Sequence, residues 1–213
     1  MNPGRPLRLA VVSAGLSTPS ATRLLADRLA DATRRQLADE NREVEVQVVE
    51  VRDLAVDIAN HLVTGFPAPP LAEAIETVTA ADGLIAVTPV FSASYSGLFK
   101  SFFDVIDNDA LTGKPVLAGA TGGTARHSLV LEHALRPLFA YLRTVVVPTA
   151  VYAASEDWGG SGDPLTDTLP TRIVRAAGEL AELMRQRPGG SAVRPAEETV
   201  VPFEQQLAAL RPE

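Results

Sequence analysis

Between Gly15 and Thr22 the chain reads Gly15-Leu16-Ser17-Thr18-Pro19-Ser20-Ala21-Thr22, four hydroxyls within six residues. An apolar run, Arg8 to Ser13, precedes this stretch, and Leu24, Leu25, Leu29 and Ala32 follow it at helical spacing. The pattern predicts strand, loop and helix, with Thr18 as the helix cap and Pro19 at the first helical position, where a missing N–H leaves no bond unmade. Unpaired amides at the helix start, the positive end of its dipole and the hydroxyls then share one loop. That is the chemistry of a phosphate cradle. A capped helix with no ligand accounts for the same residue types.

Two further stretches suit a flat ligand. After the apolar run Gly83 to Val87 comes Thr88-Pro89-Val90-Phe91-Ser92-Ala93-Ser94-Tyr95-Ser96-Gly97, where Pro89 stops strand pairing and two aromatics sit among small hydroxylated residues. After Val116 to Ala120 comes Thr121-Gly122-Gly123-Thr124, whose glycines let a planar molecule lie against bare backbone. Either loop alone reads equally as a core cap or a plain turn. Three such loops on one sheet edge point to a planar cofactor that carries phosphate.

The elements that must position these loops follow from periodicity. Glu43 to Val51 alternates polar residues with valine, as an edge strand with one wet face does, whereas 83–87 and 116–120 are continuous apolar runs suited to the sheet centre. Val145-Val146-Val147 completes five strands. Helices are predicted at about 70–81, 95–107, 125–143 and 168–186, in addition to the one after the first loop. Alternating strand and helix predicts a three-layer α/β fold, a five-stranded parallel sheet of order 2-1-3-4-5 that is flavodoxin-like, with ligands beyond the carboxyl ends of the strands.

Composition narrows the chemistry. The 213 residues suit one full-sized α/β domain with an appendage. With no cysteine, thiolate metal sites and cysteine nucleophiles are excluded, so redox chemistry must come from an organic cofactor. A net charge of -7 with dispersed arginines leaves no footprint for nucleic acid. Apolar runs fall short of the roughly 20 residues of a membrane span, and no signal-peptide core precedes the first strand, so a soluble cytoplasmic protein is expected. His61, His127 and His133 lack metal-ligand spacing, and Gly-x-Ser-x-Gly, Gly-x-Gly-x-x-Gly and Walker patterns are absent.

Pro89 to Lys100, then Thr121-Gly122-Gly123, then His133-Ala134-Leu135-Arg136-Pro137-Leu138, together resemble the NADPH-dependent FMN reductase family, over about residues 8–150. The nearest likeness is to reductases that hand reduced flavin to luciferase-like or alkanesulfonate monooxygenases. The resemblance implies that the first loop holds the FMN phosphate through Ser13, Ser17, Ser20 and Thr22, with Leu16 and Ala21 beside them. It places the isoalloxazine ring along Pro89, Val90, Phe91 and Ser92, and the ring's polar edge at Thr121, Gly122 and Gly123. Two departures stand out: Ser17 where many members have arginine, which suits a flavin that leaves after reduction, and His133 where sulfonate-linked relatives often have tyrosine on a helix with a π-type turn at a subunit contact.

The implied reaction is hydride transfer from NADPH to FMN, with reduced flavin passed to a monooxygenase. Such transfer needs stacked rings and a dry site, and no side chain as acid or base, so no catalytic residue and no metal is nominated. A quinone or azo reductase that keeps its FMN, and a non-enzymatic flavodoxin-like electron carrier, are the alternatives. Trp158 is read as either a flavin cover or a loop anchor, and Arg126 and His127 as contacts for the extra phosphate of NADPH or as a solvated helix start.

Residues 1–187 are expected to form the FMN-binding domain, and 188–213 a tail. Leu98, Phe99, Phe102, Phe103, Val105 and Ile106 spread beyond the ~100° stripe that one core contact needs. In the tail Phe203, Leu207 and Leu210 share one helical face. A homodimer or homotetramer is therefore expected, with the helix of Phe99 and Phe102 at a subunit contact and the tail on a neighbouring subunit.

Overall fold

Side-chain alternation along the central strands sends apolar groups to both faces of one sheet. In β1 (Leu7–Ser13), Leu7, Leu9 and Val11 join one core while Ala10 and Val12 join the other. The same division holds in β3 (Gly83–Phe91), where Ile85 and Val87 oppose Leu84 and Ala86. The computed structural model describes residues 5–38, 42–159 and 168–186.

Helix α1 (Ala21–Ala38) and helix α6 (Leu169–Gln186) cover one face through Leu25, Leu29, Ile173 and Leu180. The other face carries α2 (Ala55–Thr64), α3 (Pro69–Ala80), α4 (Gly97–Asp104) and α5 (Arg136–Tyr141). A buried sheet between two helical layers is what continuous apolar strands require.

β2 (Val44–Glu50) pairs with β1 at the edge, followed by β3 and β5 (Pro115–Gly122), all parallel. The fifth position is shared. β6 (Val145–Val146) pairs with the start of β5 and β7 (Val151–Ala154) with its end. The order expected from sequence is thus present and the fold is flavodoxin-like, but the last strand is two pieces. A further short strand, β4 (Ser94–Tyr95), folds back antiparallel on β3 through a turn at Ser92 and Ala93, both at positive φ.

Three expectations need correction. The first helix starts at Ala21, with Ser20 as its cap: the Ser20 hydroxyl accepts from the Arg23 amide at 3.2 Å. Thr18 lies three residues before the helix, and its hydroxyl accepts from Arg52. The segment expected to be a helix over 125–143 is a single 3₁₀ turn, Ala125–His127, a π-type turn, Leu131–Leu135, and only then α5.

Third, Phe99 and Phe102 are not surplus apolar surface that needs another subunit: they are 0% exposed and Phe103 is 1% exposed. The second surface they need lies in the same chain, where Phe139 of α5 packs edge-on against Phe103 at 5.2 Å and Phe99 lies 4.8 Å from Phe103. Such ring pairs add about 0.5–1.5 kcal/mol beyond burial. The expected contacts of Phe203, Leu207 and Leu210 fall outside the described residues.

Candidate functional site

All three sequence-singled loops leave the carboxyl ends of parallel strands, so strand order alone brings them together. They line one cleft of about 470 Å³. Leu16, Ser17, Ser20, Ala21 and Thr22 come from the first loop and helix start, Pro89, Val90 and Phe91 from the second, and Thr121, Gly122 and Gly123 from the third.

Ser13 and Ser92 stand outside this lining. Ser13 is fully buried at the end of β1, and its hydroxyl has no hydrogen-bond partner. Ser92 occupies the exposed turn of the β3–β4 hairpin because the chain reverses there to pair Val90 with Tyr95.

The first loop is held from several sides. Ser17 donates to the Pro19 carbonyl at 2.9 Å, Thr22 and Thr121 share a hydroxyl hydrogen bond of 2.8 Å, and Arg52 donates to the Ser17 carbonyl at 3.1 Å. With Ser20 as cap, the N–H groups of Ala21 and Thr22 have no intrahelical acceptor and are free for an anion. Gly15 is required by space: a Cβ there would come within 2.0 Å of the Ser20 hydroxyl oxygen. The donor set of hydroxyls and helix-start amides fits a phosphate.

Opposite it, the third-loop end of the cleft has little side chain. Nothing stands within 4 Å of a Cβ built on Gly123. Gly122 packs against Tyr152, whose hydroxyl donates to the Thr124 carbonyl at 2.8 Å. Burial first, then the charges of Asp157 and Glu156, raise the Tyr152 phenol above its usual range and keep it a donor. None of the described lining residues is a carboxylate, histidine or cation.

Sequence reasoning missed part of the wall. Ala153 and Ser155, at and after β7, line the cleft with Trp158. Trp158 lines the cleft and is anchored, with the Arg28 guanidinium 4.9 Å over its ring. Asp157 fixes this segment by accepting from the Ala154 amide at 2.8 Å and pairing with Arg172 at 2.6 Å. No sequence signal marked Arg52 as part of the first loop, since its contact spans 35 positions.

Arg126 and His127 are exposed in the 3₁₀ turn after the third loop. His133 is exposed on the π-type turn and borders a separate recess with Tyr95, Lys100 and Tyr141. Among the described residues no group of acidic or histidine side chains is arranged to hold a metal.

A helix start with free amides facing a bare-backbone ledge, at the carboxyl edge of a doubly wound sheet, is the arrangement of a flavodoxin-like fold with a cleft suited to a phosphate-bearing ligand. Residues 7–159 match the model of the NADPH-dependent FMN reductase family, and the chain belongs to that family. It is similar to an FMN reductase (NADPH) of Pseudomonas aeruginosa, 36% identical over 182 residues that cover 85% of this chain and 95% of that one. The NADH-dependent FMN reductase SfnF of Pseudomonas fluorescens is 37% identical over 177 residues, 81% of this chain and 91% of that protein. Among solved structures, an oxidoreductase from Corynebacterium diphtheriae aligns with a TM-score of 0.82 at 47% identity, over 87% of this chain and 100% of its own.

Proposed function

We propose that the protein transfers hydride from NAD(P)H to FMN and passes the reduced flavin to a partner monooxygenase. The carrying observation is the meeting of three loops around one cleft, phosphate donors at one end and bare backbone at the other. FMN, when bound, supplies the redox chemistry, accepting two electrons and a proton as hydride from the nicotinamide and giving them up later.

The chain supplies place and surroundings. Ser20 and the free amides of Ala21 and Thr22 would bind the phosphate, with the Ser17 hydroxyl turned instead to the Pro19 carbonyl; Pro89 to Phe91 would flank the ring, and the loop of Gly122 and Gly123 would bring backbone donors to the ring edge where negative charge develops. With no acid or base in the described lining, the chain's role is orientation and exclusion of water.

Release of the reduced flavin is supported by an open rim, where Leu16 is 52% and Phe91 47% exposed. The test scans the purified protein for flavin absorbance and then follows NADPH oxidation with and without free FMN. Turnover that rises and saturates with free FMN is expected. A tightly flavinated protein that reduces quinones at full rate without added FMN is instead a retaining reductase, and one that does not oxidise NADPH is a carrier.

The reading also places the protein in the cytoplasm, where NAD(P)H is available. Among the described residues no helix is long and apolar enough to cross a membrane. A homo-oligomer remains part of the proposal, now supported by Leu129 and Tyr141, 61% and 70% exposed on either side of the π-type turn. Light scattering that finds a monomer removes that part.

A further inference from the structure

From Ala14 to Thr22 the first loop contains no basic residue. The next arginine, Arg23, is committed to Asp27 at 2.7 Å and Glu50 at 2.6 Å. One guanidinium reaches the loop from elsewhere. Arg52 stands in the 3₁₀ turn Val51–Leu54 that follows edge strand β2, and its Nη1 donates to the Ser17 carbonyl at 3.1 Å and to the Thr18 hydroxyl.

Ser17 and Thr18 are both exposed, so no core packing fixes this part of the loop. One guanidinium nitrogen that donates to both acceptors ties the Ser17 carbonyl to the Thr18 hydroxyl. Its other recorded partner, the neighbouring Asp53 at 3.3 Å, has 69% of its side chain exposed and neutralises it weakly. A phosphate at the start of α1 is dianionic near neutral pH, and a cation fastened to the outer side of the same loop favours it over a neutral ligand.

We propose that Arg52 is a positioning residue of the phosphate site and sets the preference for FMN over riboflavin. It pins Ser17 and Thr18 so that the Ser20 hydroxyl and the free amides of Ala21 and Thr22 stay turned to the phosphate, and it adds positive charge beside them. The proposal rests on the FMN reading above. The charge thus comes from the end of the edge strand, outside the loop that is otherwise built of hydroxyls and amides.

The experiment measures Kd for FMN and for riboflavin by flavin fluorescence, at low and high salt, in the full chain and in Arg52→Ala, Arg52→Lys and Thr18→Val. Arg52→Ala is expected to weaken FMN by about tenfold, the scale of one hydrogen bond to a charged group, and to leave riboflavin within about twofold. Arg52→Lys should restore part of the loss, and the FMN-to-riboflavin ratio of the parent, but not of Arg52→Ala, should fall with salt. In turnover, KM for FMN should rise at unchanged kcat. Thr18→Val removes one of the two anchors and keeps the charge, so a smaller loss in the same direction is expected even if Arg52→Ala proves unstable.

Equal losses for both flavins, or an Arg52→Ala variant that still prefers FMN as the parent does, overturn the role of Arg52 and leave the FMN reading intact. A parent chain that binds neither flavin overturns both.

Discussion

The hydroxyls of Thr22 and Thr121 lie 2.8 Å apart across 99 positions of sequence, and the two residues are only 3% and 6% exposed. One hydrogen bond therefore joins the first loop's helix start to the third loop across the cleft. Thr22→Val leaves the Thr121 hydroxyl buried without this partner, and urea unfolding should show a loss of about 1–3 kcal/mol. FMN affinity should fall with it. Changing both residues to valine removes donor and acceptor together and should recover much of the stability. Losses that simply add would show that the two hydroxyls do not act as a pair.

Gly122 and Tyr152 set a steric limit. A Cβ at Gly122 would lie 2.1 Å from the Tyr152 hydroxyl oxygen and 3.2 Å from the ring carbon that bears it. Gly122→Ala should displace the tyrosine, break its bond to Thr124 and destabilise the chain by about 1–3 kcal/mol, the usual scale of overpacking. Adding Tyr152→Phe deletes the clashing oxygen and should return part of the stability. A double variant less stable than Gly122→Ala alone would refute this contact as the cause.

The same tyrosine gives a pH expectation. Its folded pKa is raised by burial first and then by Asp157 and Glu156. The folded state therefore holds the phenol proton more tightly than the unfolded chain, whose tyrosine titrates near about 10. Stability from this group is complete below that value and declines as pH rises toward the folded pKa. Chemical unfolding across the alkaline range should show the decline in the parent and a shallower one in Tyr152→Phe.

Trp158 is the one tryptophan of the chain and it lines the cleft. Binding of FMN should quench its emission in a saturable way, with the midpoint found from flavin fluorescence. Arg28→Ala removes the cation 4.9 Å over the indole and should shift the emission of the unliganded protein, since the ring loses its charged neighbour. Emission unaffected by saturating FMN would place the indole away from the flavin.

Ser92 and Ala93 turn the β3–β4 hairpin with φ of 48° and 67°. A side chain in this left-handed region costs roughly 1–2 kcal/mol, of which glycine returns all but its own ~0.5–1 kcal/mol of lost freedom. Ala93→Gly should thus stabilise by about 0.5–1 kcal/mol, read as a melting temperature higher by about 1–4 °C. An unchanged or lower melting point would mean that other contacts of the turn outweigh the backbone.

Much of this architecture was legible because the central strands are apolar on both faces and each ends in a loop of distinct chemistry. The three loops needed only the strand order to become one cleft. What was missed depends on contacts distant in sequence. Ser20 rather than Thr18 caps α1, and the Thr18 hydroxyl meets Arg52, a contact that nothing near Thr18 announces. The phenylalanines of α4 show by spacing that they need a second surface, but spacing does not say whether α5 or another subunit supplies it. β7 was hidden because Pro148-Thr149-Ala150 looks like the end of a strand. Helix α2 does carry an apolar stripe of Ala55, Ile58, Ala59 and Leu62, but only Ile58 of it is buried.

The divided fifth strand has an arithmetic of its own. Val146 pairs with Val116 and Val151 with Gly119, so five steps on one strand match three on the other. The surplus is an even number, and the odd-numbered and even-numbered residues keep their sides: Val147, Val151 and Ala153 stay on the α1–α6 face, and Val146, Tyr152 and Ala154 on the opposite one. A surplus of one would invert every side chain beyond it and turn Tyr152 away from Gly122. Length variation at Pro148 and Thr149 should therefore be tolerated in steps of two, with a genetic library of deletions and insertions there enriched for even changes among the members that still fold.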